Sequence, residues 1–439
     1  MIETILPGPR SGVMEVLASK SSGHRLLIAA ALTPGETRLR VDGLSDDILA
    51  TMDCLKALGA SIREEEDGVL RIKGILPGNA APTMDSRGTD DALFMNSRGT
   101  DDALLPCRES GSTLRFFLPL AAALGIPAVF LREGRLSERP LAPLDGLLSA
   151  HGAKIVPDGK LLRLSRKLTH GSYEIPGNIS SQYITGLLLS LPLLSGDSIL
   201  KVTGPVESSP YITITERVLV RAGIRYEKAD WTYRIPGNQT YRLPAEAAVE
   251  RDWSGAAFPL CMGAFSEKGI SVPGLDPESP HGDRQILTLL KAFGAEVTVD
   301  ADRVTVRNQG PLTGITIDAS EVPDLVPALC AVAAGAEGET RVIRGERLRL
   351  KESDRIRSVV RMLKGLSADA EETEDGMIIH GKKQLQGGTV DPENDHRIAM
   401  AAAVAAGICR EPVLIRDAAC VRKSFPGFFD KMKQLEVNA

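Results

Sequence analysis

Six short polar openings stand in front of long runs of small and apolar residues: Lys20-Ser21, Ser110-Gly111-Ser112, Ser180-Ser181-Gln182, Asp252-Trp253-Ser254, Pro323-Asp324 and Asp395-His396-Arg397. Ser and Asp at such places serve as helix caps. A helix N-terminus also presents unpaired N–H groups and a partial positive charge, so it accepts phosphate or carboxylate oxygens. Lys20, Arg25, Arg115 and Arg397 lie within a turn or two of these openings. Cations there oppose the helix dipole, which favours acids at that end. The runs behind them are too apolar for a solvated surface, so an anionic ligand explains the cations better. Two further segments are dense in charge. LRLKESDRIR holds Lys351, Glu352, Asp354 and Arg355 ahead of an amphipathic stretch, and AACVRKSFPGFF holds Lys423. The first reads either as a helix start laced by ion pairs or as proton-transfer carboxylates with shifted pKa values.

What is missing narrows the chemistry. Nothing resembles a P-loop, a GxGxxG after a strand, a GxSxG elbow or HExxH, so nucleotide-cofactor, hydride-transfer, serine-hydrolase and zinc-protease readings lose support. The net charge of −5 supplies no basic excess for a nucleic-acid backbone. At 439 residues, with 43% hydrophobic and 25% charged, the chain is expected to be soluble and globular, with the mass of two or three domains. The six cysteines (54, 107, 261, 330, 409 and 420) are widely spaced, with no CxxC and no Cys-His cluster. Reduced, buried thiols in a cytoplasmic protein are expected rather than disulfides or a zinc site. The start, MIETILPGPRSG, lacks the pattern of a signal peptide, and the longest apolar run, Tyr183 to Leu194, contains Pro192 and is too short to span a bilayer.

The elements that must hold these openings repeat. CLKALGASIREEEDGVLRIKG, LLSAHGAKIVPDGKLLRLS, VLVRAGIRYEKADWTYRIPG and LLKAFGAEVTVDADRVTVRNQG each read as an amphipathic helix, a small turn and a short hairpin. RMLKGLSADAEETEDGMIIHG is a diverged fifth copy, and DKMKQLEV begins a sixth. The turn residues Gly59, Gly152, Gly223, Gly294 and Leu366 are spaced 93, 71, 71 and 72 apart. The buried helices alternate with this unit, opening on a cap and closing at Gly. TMDSRGTDDAL (83–93) and FMNSRGTDDAL (94–104) are near-identical neighbours. They read as a polar, exposed 22-residue insertion at 83–104, which restores the regular spacing. Six units suggest two groups of three, helices inside and hairpin sheets outside, with a crossing around Pro236 to Glu250.

Ser19-Lys20-Ser21 with Arg25, ESGSTLR (109–115), Arg139-Pro140, SSQYITGLLLSLPLL, Ser208 to Tyr211 (SSPY), KESDR (351–355), DHRIAMA and Lys423-Ser424-Phe425-Pro426 occur here in order. In this set the chain resembles the enolpyruvyl transferase family, in particular its 3-phosphoshikimate 1-carboxyvinyltransferase (EPSP synthase) branch, over nearly its whole length. The resemblance implies an α/β (α+β) fold of two inside-out α/β barrel domains, each of three βαβαββ-like repeats, with a cleft between them. Residues 1–18 plus 245–439 would form one domain and 19–244 the other. It implies transfer of the enolpyruvyl group of phosphoenolpyruvate to the 5-hydroxyl of shikimate 3-phosphate, by addition and elimination. No metal or organic cofactor would be needed, and a cytoplasmic monomer is expected. Shikimate 3-phosphate would be held by Lys20, Ser21, Arg25, Ser180, Ser181, Gln182, Ser208, Tyr211, Asp324 and Lys351. Phosphoenolpyruvate would meet Lys20, Gly111, Arg139, Gln182, Arg355, Arg397 and Lys423. Asp324, Glu352 and Lys20 would handle protons, and Arg115 would stand one layer behind the substrates.

The substrates bring roughly five to six negative charges to seven cations, and the cations are expected to hold an empty cleft open by repulsion. Four positions depart from residues frequent in the family: Glu109 for Asn, Phe116 for Pro, Ser209 for Lys and Arg347 for Asn. A sister enzyme acting on UDP-N-acetylglucosamine usually carries a Cys between the second buried helix and the next Arg, and residues 116–138 hold none. A repeat scaffold that only binds an anionic partner is the alternative outside enzymes; it would need neither Asp324 nor Glu352.

Overall fold

A computed structural model describes residues 1–75 and 102–437. The twelve helices among them fall into six pairs. The first members are α1 (Lys20–Leu32), α3 (Gly111–Leu124), α5 (Ser181–Ser190), α7 (Trp253–Gly263), α9 (Val326–Ala333) and α11 (His396–Ala405). Their partners are α2 (Asp46–Ala57), α4 (Leu144–Ala150), α6 (Ser209–Arg221), α8 (Ile286–Phe293), α10 (Arg355–Gly365) and α12 (Phe428–Lys433). The first members are buried almost all round, and α7, α9 and α11 wholly so. Runs such as Ala29–Ala31, Ala121–Ala123 and Ala401–Ala403 leave no side chain to hold neighbouring backbones apart. The partners are amphipathic: in α10, Ile356, Val359, Val360 and Leu363 are buried at helical spacing.

Six small sheets cover these helices. In the second repeat Ala103–Pro106 runs parallel to Ala128–Leu131, which pairs antiparallel with Leu161–Ser165 of the hairpin closed by Lys154–Asp158. The third and fifth repeats have the same β-α-β-α-β-β order. Burial alternates along Glu36–Arg40 and Glu339–Ile343, charged residues outward, as on sheets with one wet face. The hydrophobic residues divide into two cores. Ala18 to Val249 supply one; Ile5, Met14, Val16 and Trp253 to Leu435 supply the other.

The remaining repeats borrow strands. Glu246–Ala248 runs parallel to Glu36–Arg40 and completes the first repeat's sheet. The crossing between groups therefore follows this strand, several residues beyond the expected boundary at 245. Arg10–Val13 pairs with Ile270–Pro273 in the fourth repeat, and Glu3–Ile5 pairs with Val413–Ile415 in the sixth. The C-terminal Glu436–Val437 lies against Arg10–Val13 instead of opening a sixth hairpin.

The expected insertion falls mostly outside the described residues, but its end does not. Ala103 and Leu104 belong to the strand Ala103–Pro106, with Ala103 buried, so 83–104 is too long at its C-terminal side. Each copy ends in Asp-Asp-Ala-Leu, so the frame of the duplication is ambiguous and the strand sets it. Deleting 83–93 alone keeps that strand, and a loop's length adds little closure entropy. That variant is expected to keep its thermal midpoint within about 3 °C and most of its activity; loss of either would give the segment a role.

Candidate functional site

The first helices of the two groups start toward one another, and the cleft between the two cores is lined by their openings. Every residue assigned above to substrate or proton transfer lines it except Lys423, whose neighbour Ser424 does. The openings fold as the caps require: Ser19, Ser110, Ser180, Asp252 and Asp395 each accept a hydrogen bond from an N–H of the helix behind them. Asp324 is different. It precedes α9 by two residues and caps nothing, so its carboxylate is free for the cleft. Ser208 adopts a left-handed backbone (φ 54°) and its hydroxyl caps nothing either.

On the wall built from 18–249, Arg25 is 3% exposed and uses four of its five N–H groups. It donates to Thr215 Oγ1 (2.7 Å), Thr185 Oγ1 (3.1 Å) and the carbonyls of Ser21 (2.6 Å) and Tyr211 (3.0 Å). Burial pulls its guanidinium down to about 9, which leaves it charged at neutral pH. Lys20 pairs with Asp47 at 2.9 Å; burial opposes its charge, but Asp47 and Glu352 outweigh burial and raise it. Gln182 donates to Ser112 Oγ (2.9 Å) and accepts from Arg115 Nη1 (2.5 Å). Gly111 opens α3, and a Cβ there would stand 2.9 Å from Arg139 Nη1, so glycine lets that guanidinium close on the helix start.

On the facing wall Arg355 is the hub. It is 1% exposed and donates to Asp395 (2.8 Å), Asp324 (2.8 Å) and Glu352 (2.6 Å). Arg397 reaches the other oxygen of Asp324 (3.0 Å), Lys351 stands 3.8 Å from it, and Arg139 crosses to Glu352 at 3.6 Å. Burial alone would lift both carboxyls; Arg397, Lys351 and Arg355 around Asp324, and Arg355 and Arg139 around Glu352, hold them well below the usual carboxylate range. KESDR thus combines both readings of its charges: its ion pairs are the cleft wall. Burial brings Lys351 down to about 8 and His396 to about 3, so His396 is neutral.

The cations expected to repel one another across the cleft are mostly paired with acids. Asp47, Asp324, Glu352 and Asp395 neutralise the cations from within, and Tyr211 OH and Asp324 lie 3.4 Å apart across the cleft. Arg115 lines the cleft itself rather than standing behind it. The sequence reading missed Asp47, which its i, i+27 separation from Lys20 hides, and Asp283, 3.4 Å from Tyr211 OH. Arg347, noted only as a departure, lines the cleft and pairs with Glu207 at 2.8 Å.

Two inside-out halves with helix starts and buried arginines converging on one cleft define an enolpyruvyl-transferase-like α/β protein built for small polyanions. The model of the EPSP synthase (3-phosphoshikimate 1-carboxyvinyltransferase) family matches residues 6–432. The chain belongs to this family, and its reaction is enolpyruvyl transfer from phosphoenolpyruvate to shikimate 3-phosphate in the shikimate pathway. The 3-phosphoshikimate 1-carboxyvinyltransferase of Clostridium kluyveri is 40% identical, covering 98% of this chain and 96% of its own. That of Clostridium acetobutylicum is 39% identical, with 97% and 95% covered. EPSP synthase of Acinetobacter baumannii superposes with a TM-score of 0.78 at 25% identity over 100% of both chains. The enolpyruvyl transferase NikO of Streptomyces tendae shares the fold (TM-score 0.75) at 17% identity, covering 100% of this chain and 97% of its own.

Removing Arg355 would take the shared partner from three carboxylates, leaving Asp395 without a guanidinium and Asp324 and Glu352 with their remaining cations. Arg355→Met is expected to cost about 3–5 kcal/mol at pH 7. In the wild type these carboxyls have depressed pKa values, so their stabilisation is present above the unfolded value and is lost only as pH falls through the folded value; it is flat from pH 7 to 5. In the variant the stranded carboxyls titrate upward and can be relieved by protonation, so the loss should shrink at pH 5. Urea unfolding at both pH values checks it.

Proposed function

We propose that Asp324 and Glu352 carry the proton transfers of this reaction, that Lys20 is the third catalytic group, and that the two walls divide the substrates. Ser180, Ser181, Gln182, Ser208 and Tyr211, with Lys20, Ser21, Arg25 and Lys351, hold shikimate 3-phosphate. Gly111, Arg139, Arg355, Arg397 and Lys423 hold phosphoenolpyruvate, with Lys20 and Gln182 between the two. The observation that carries this reading is the pair of ionised carboxylates, Asp324 and Glu352, sharing one buried guanidinium at the cleft wall.

Addition requires that the 5-hydroxyl lose a proton as its oxygen attacks C2, while the methylene carbon gains one. Asp324 is already ionised and takes the hydroxyl proton. Glu352 begins without a proton, held so by Arg355 and Arg139. Phosphoenolpyruvate brings its own anionic groups to those arginines, which weakens their hold and lifts the Glu352 carboxyl. Glu352 then takes up a proton from solvent, delivers it to the methylene carbon, and removes one again as the C2–O bond to phosphate breaks, while the hydroxyl proton held by Asp324 leaves with the departing phosphate. Lys20, kept charged by Asp47, stabilises the anionic groups at the reacting centre. The arginines position, since orientation of two bound reactants lowers the barrier substantially.

The enzyme is read as a monomer acting in the cytoplasm. Six free cysteines, all buried, support a reducing compartment, and among the described residues no helix is long and apolar enough to cross a membrane.

Phosphate release from phosphoenolpyruvate, with shikimate 3-phosphate against UDP-N-acetylglucosamine as acceptor, tests the reading; release with the second alone would overturn it. Asp324→Asn and Glu352→Gln should each lower kcat by roughly 10²–10⁴ with little change in shikimate 3-phosphate affinity. Ser180→Ala and Ser181→Ala should instead weaken that affinity by about one to two decades. A near-normal kcat for Asp324→Asn would remove Asp324 from the mechanism.

A further inference from the structure

Lys423 does not line the cleft, and the structure shows what keeps it away. Its ammonium donates to Glu109 Oε2 at 2.6 Å and to the Asn394 carbonyl at 2.7 Å. Glu109 stands just ahead of α3, in the half whose core runs from Ala18 to Val249; Lys423 and Asn394 belong to the other half. The Asn394 amide closes the triangle, donating to Glu109 Oε1 at 3.0 Å. Glu109 and Lys423 are 28% and 13% exposed, so water competes only weakly for either charge.

The backbone around the triangle is arranged for it. Arg108, Glu393 and Asn394 all take positive φ (49°, 51° and 58°), an uncommon state for residues with a Cβ, which the surrounding structure must enforce. A Cβ on Gly134 would come within 2.5 Å of the Glu109 carboxyl carbon, so glycine at 134 leaves the room in which that carboxylate turns toward Lys423. Four separate pieces of chain, at 108–109, 134, 393–394 and 423, converge to seat one carboxylate on one ammonium.

We infer that Glu109 is an affinity-determining residue for the enolpyruvyl donor: its carboxylate occupies Lys423 in place of an anionic group of phosphoenolpyruvate, and the two exchange when that substrate binds. This rests on the reading that Lys423 serves phosphoenolpyruvate. A carboxylate, two oxygens on one carbon, presents the same acceptor pair to an ammonium as the substrate's own carboxylate. Exchange frees Lys423 to swing toward Ser424 and the cleft, and it leaves Glu109 as a like charge beside the incoming anion. Both effects weaken donor binding relative to a neutral residue at 109. Neither touches shikimate 3-phosphate, whose proposed ligands lie along α1, α5 and α6, with Lys351 from the segment ahead of α10.

The test is Glu109→Gln, which keeps length and hydrogen-bonding reach while removing the charge. Wild-type phosphate release with both substrates comes first; its absence would overturn the functional reading, not only this inference. Given wild-type activity, the KM for phosphoenolpyruvate should fall about three- to tenfold in the variant, as for loss of a partly buried competing ion pair. The calorimetric Kd for shikimate 3-phosphate should stay within twofold. An unchanged or raised KM for phosphoenolpyruvate overturns the inference, the raised value making Glu109 a support for Lys423. Glu109→Ala gives the same reading if the glutamine variant does not fold. In the double variant with Lys423→Met, Glu109→Gln should no longer lower the KM; a persisting decrease would show that Glu109 does not act through Lys423.

Discussion

The Arg355 guanidinium, almost wholly out of water, makes bonds to three carboxylates that come from three different stretches of chain. A buried charge of this kind is expensive unless it is paired and hydrogen-bonded. Asp395 meets it as the cap of α11, Glu352 from the segment ahead of α10, and Asp324 from the turn ahead of α9. The fifth and sixth repeats are thereby locked in register at the cleft, and the orientation of both proposed proton carriers follows from the same fork. Arg397 and Lys351 then add to an arrangement already fixed. Stability of this half and geometry of the reacting groups are one interaction viewed twice.

The opposite wall is built on other terms. Arg25 is satisfied by hydroxyls and carbonyls rather than carboxylates, so its charge remains available to an anionic ligand. Ser180 caps its own helix and still faces the cleft, beside Ser21, Ser112 and Ser181. The wall of the fifth and sixth repeats is internally neutralised, whereas on the other, Lys20 is paired with Asp47 and Arg25 has no acidic partner among the described residues.

Much of this was legible before any coordinates. The spacing near 71 residues gave the repeats, because each unit is one supersecondary element with a fixed number of turns. The polar openings gave most of the cleft, because capping and anion binding use the same backbone groups. What escaped were relations without local signature. Asp47 partners Lys20 from the next helix, and Glu207 partners Arg347 from across the cleft. The assumption of repulsion between cations failed for that reason: acids scattered through the sequence are gathered by the fold. The borrowed strands escaped similarly, since Glu3–Ile5 and Arg10–Val13 are too short to announce which sheet they join. The frame of the tandem duplication could not be read from residues that are identical in both copies; only strand pairing decides it.

Those borrowed strands impose an order on the chain's birth. Arg10–Val13 leaves the ribosome some 260 residues ahead of its neighbour Ile270–Pro273, and Glu3–Ile5 some 410 ahead of Val413–Ile415. At about 5–20 residues per second the second wait is roughly 20–80 s. Met14 and Val16 have no core to enter until the segment from Trp253 emerges, and Ile5 waits longer, while the half formed by Ala18 to Val249 can assemble beside them. Residues 3–16 are thus a tether held in reserve, and the half that carries Arg355 is sealed only once Val413–Ile415 has emerged.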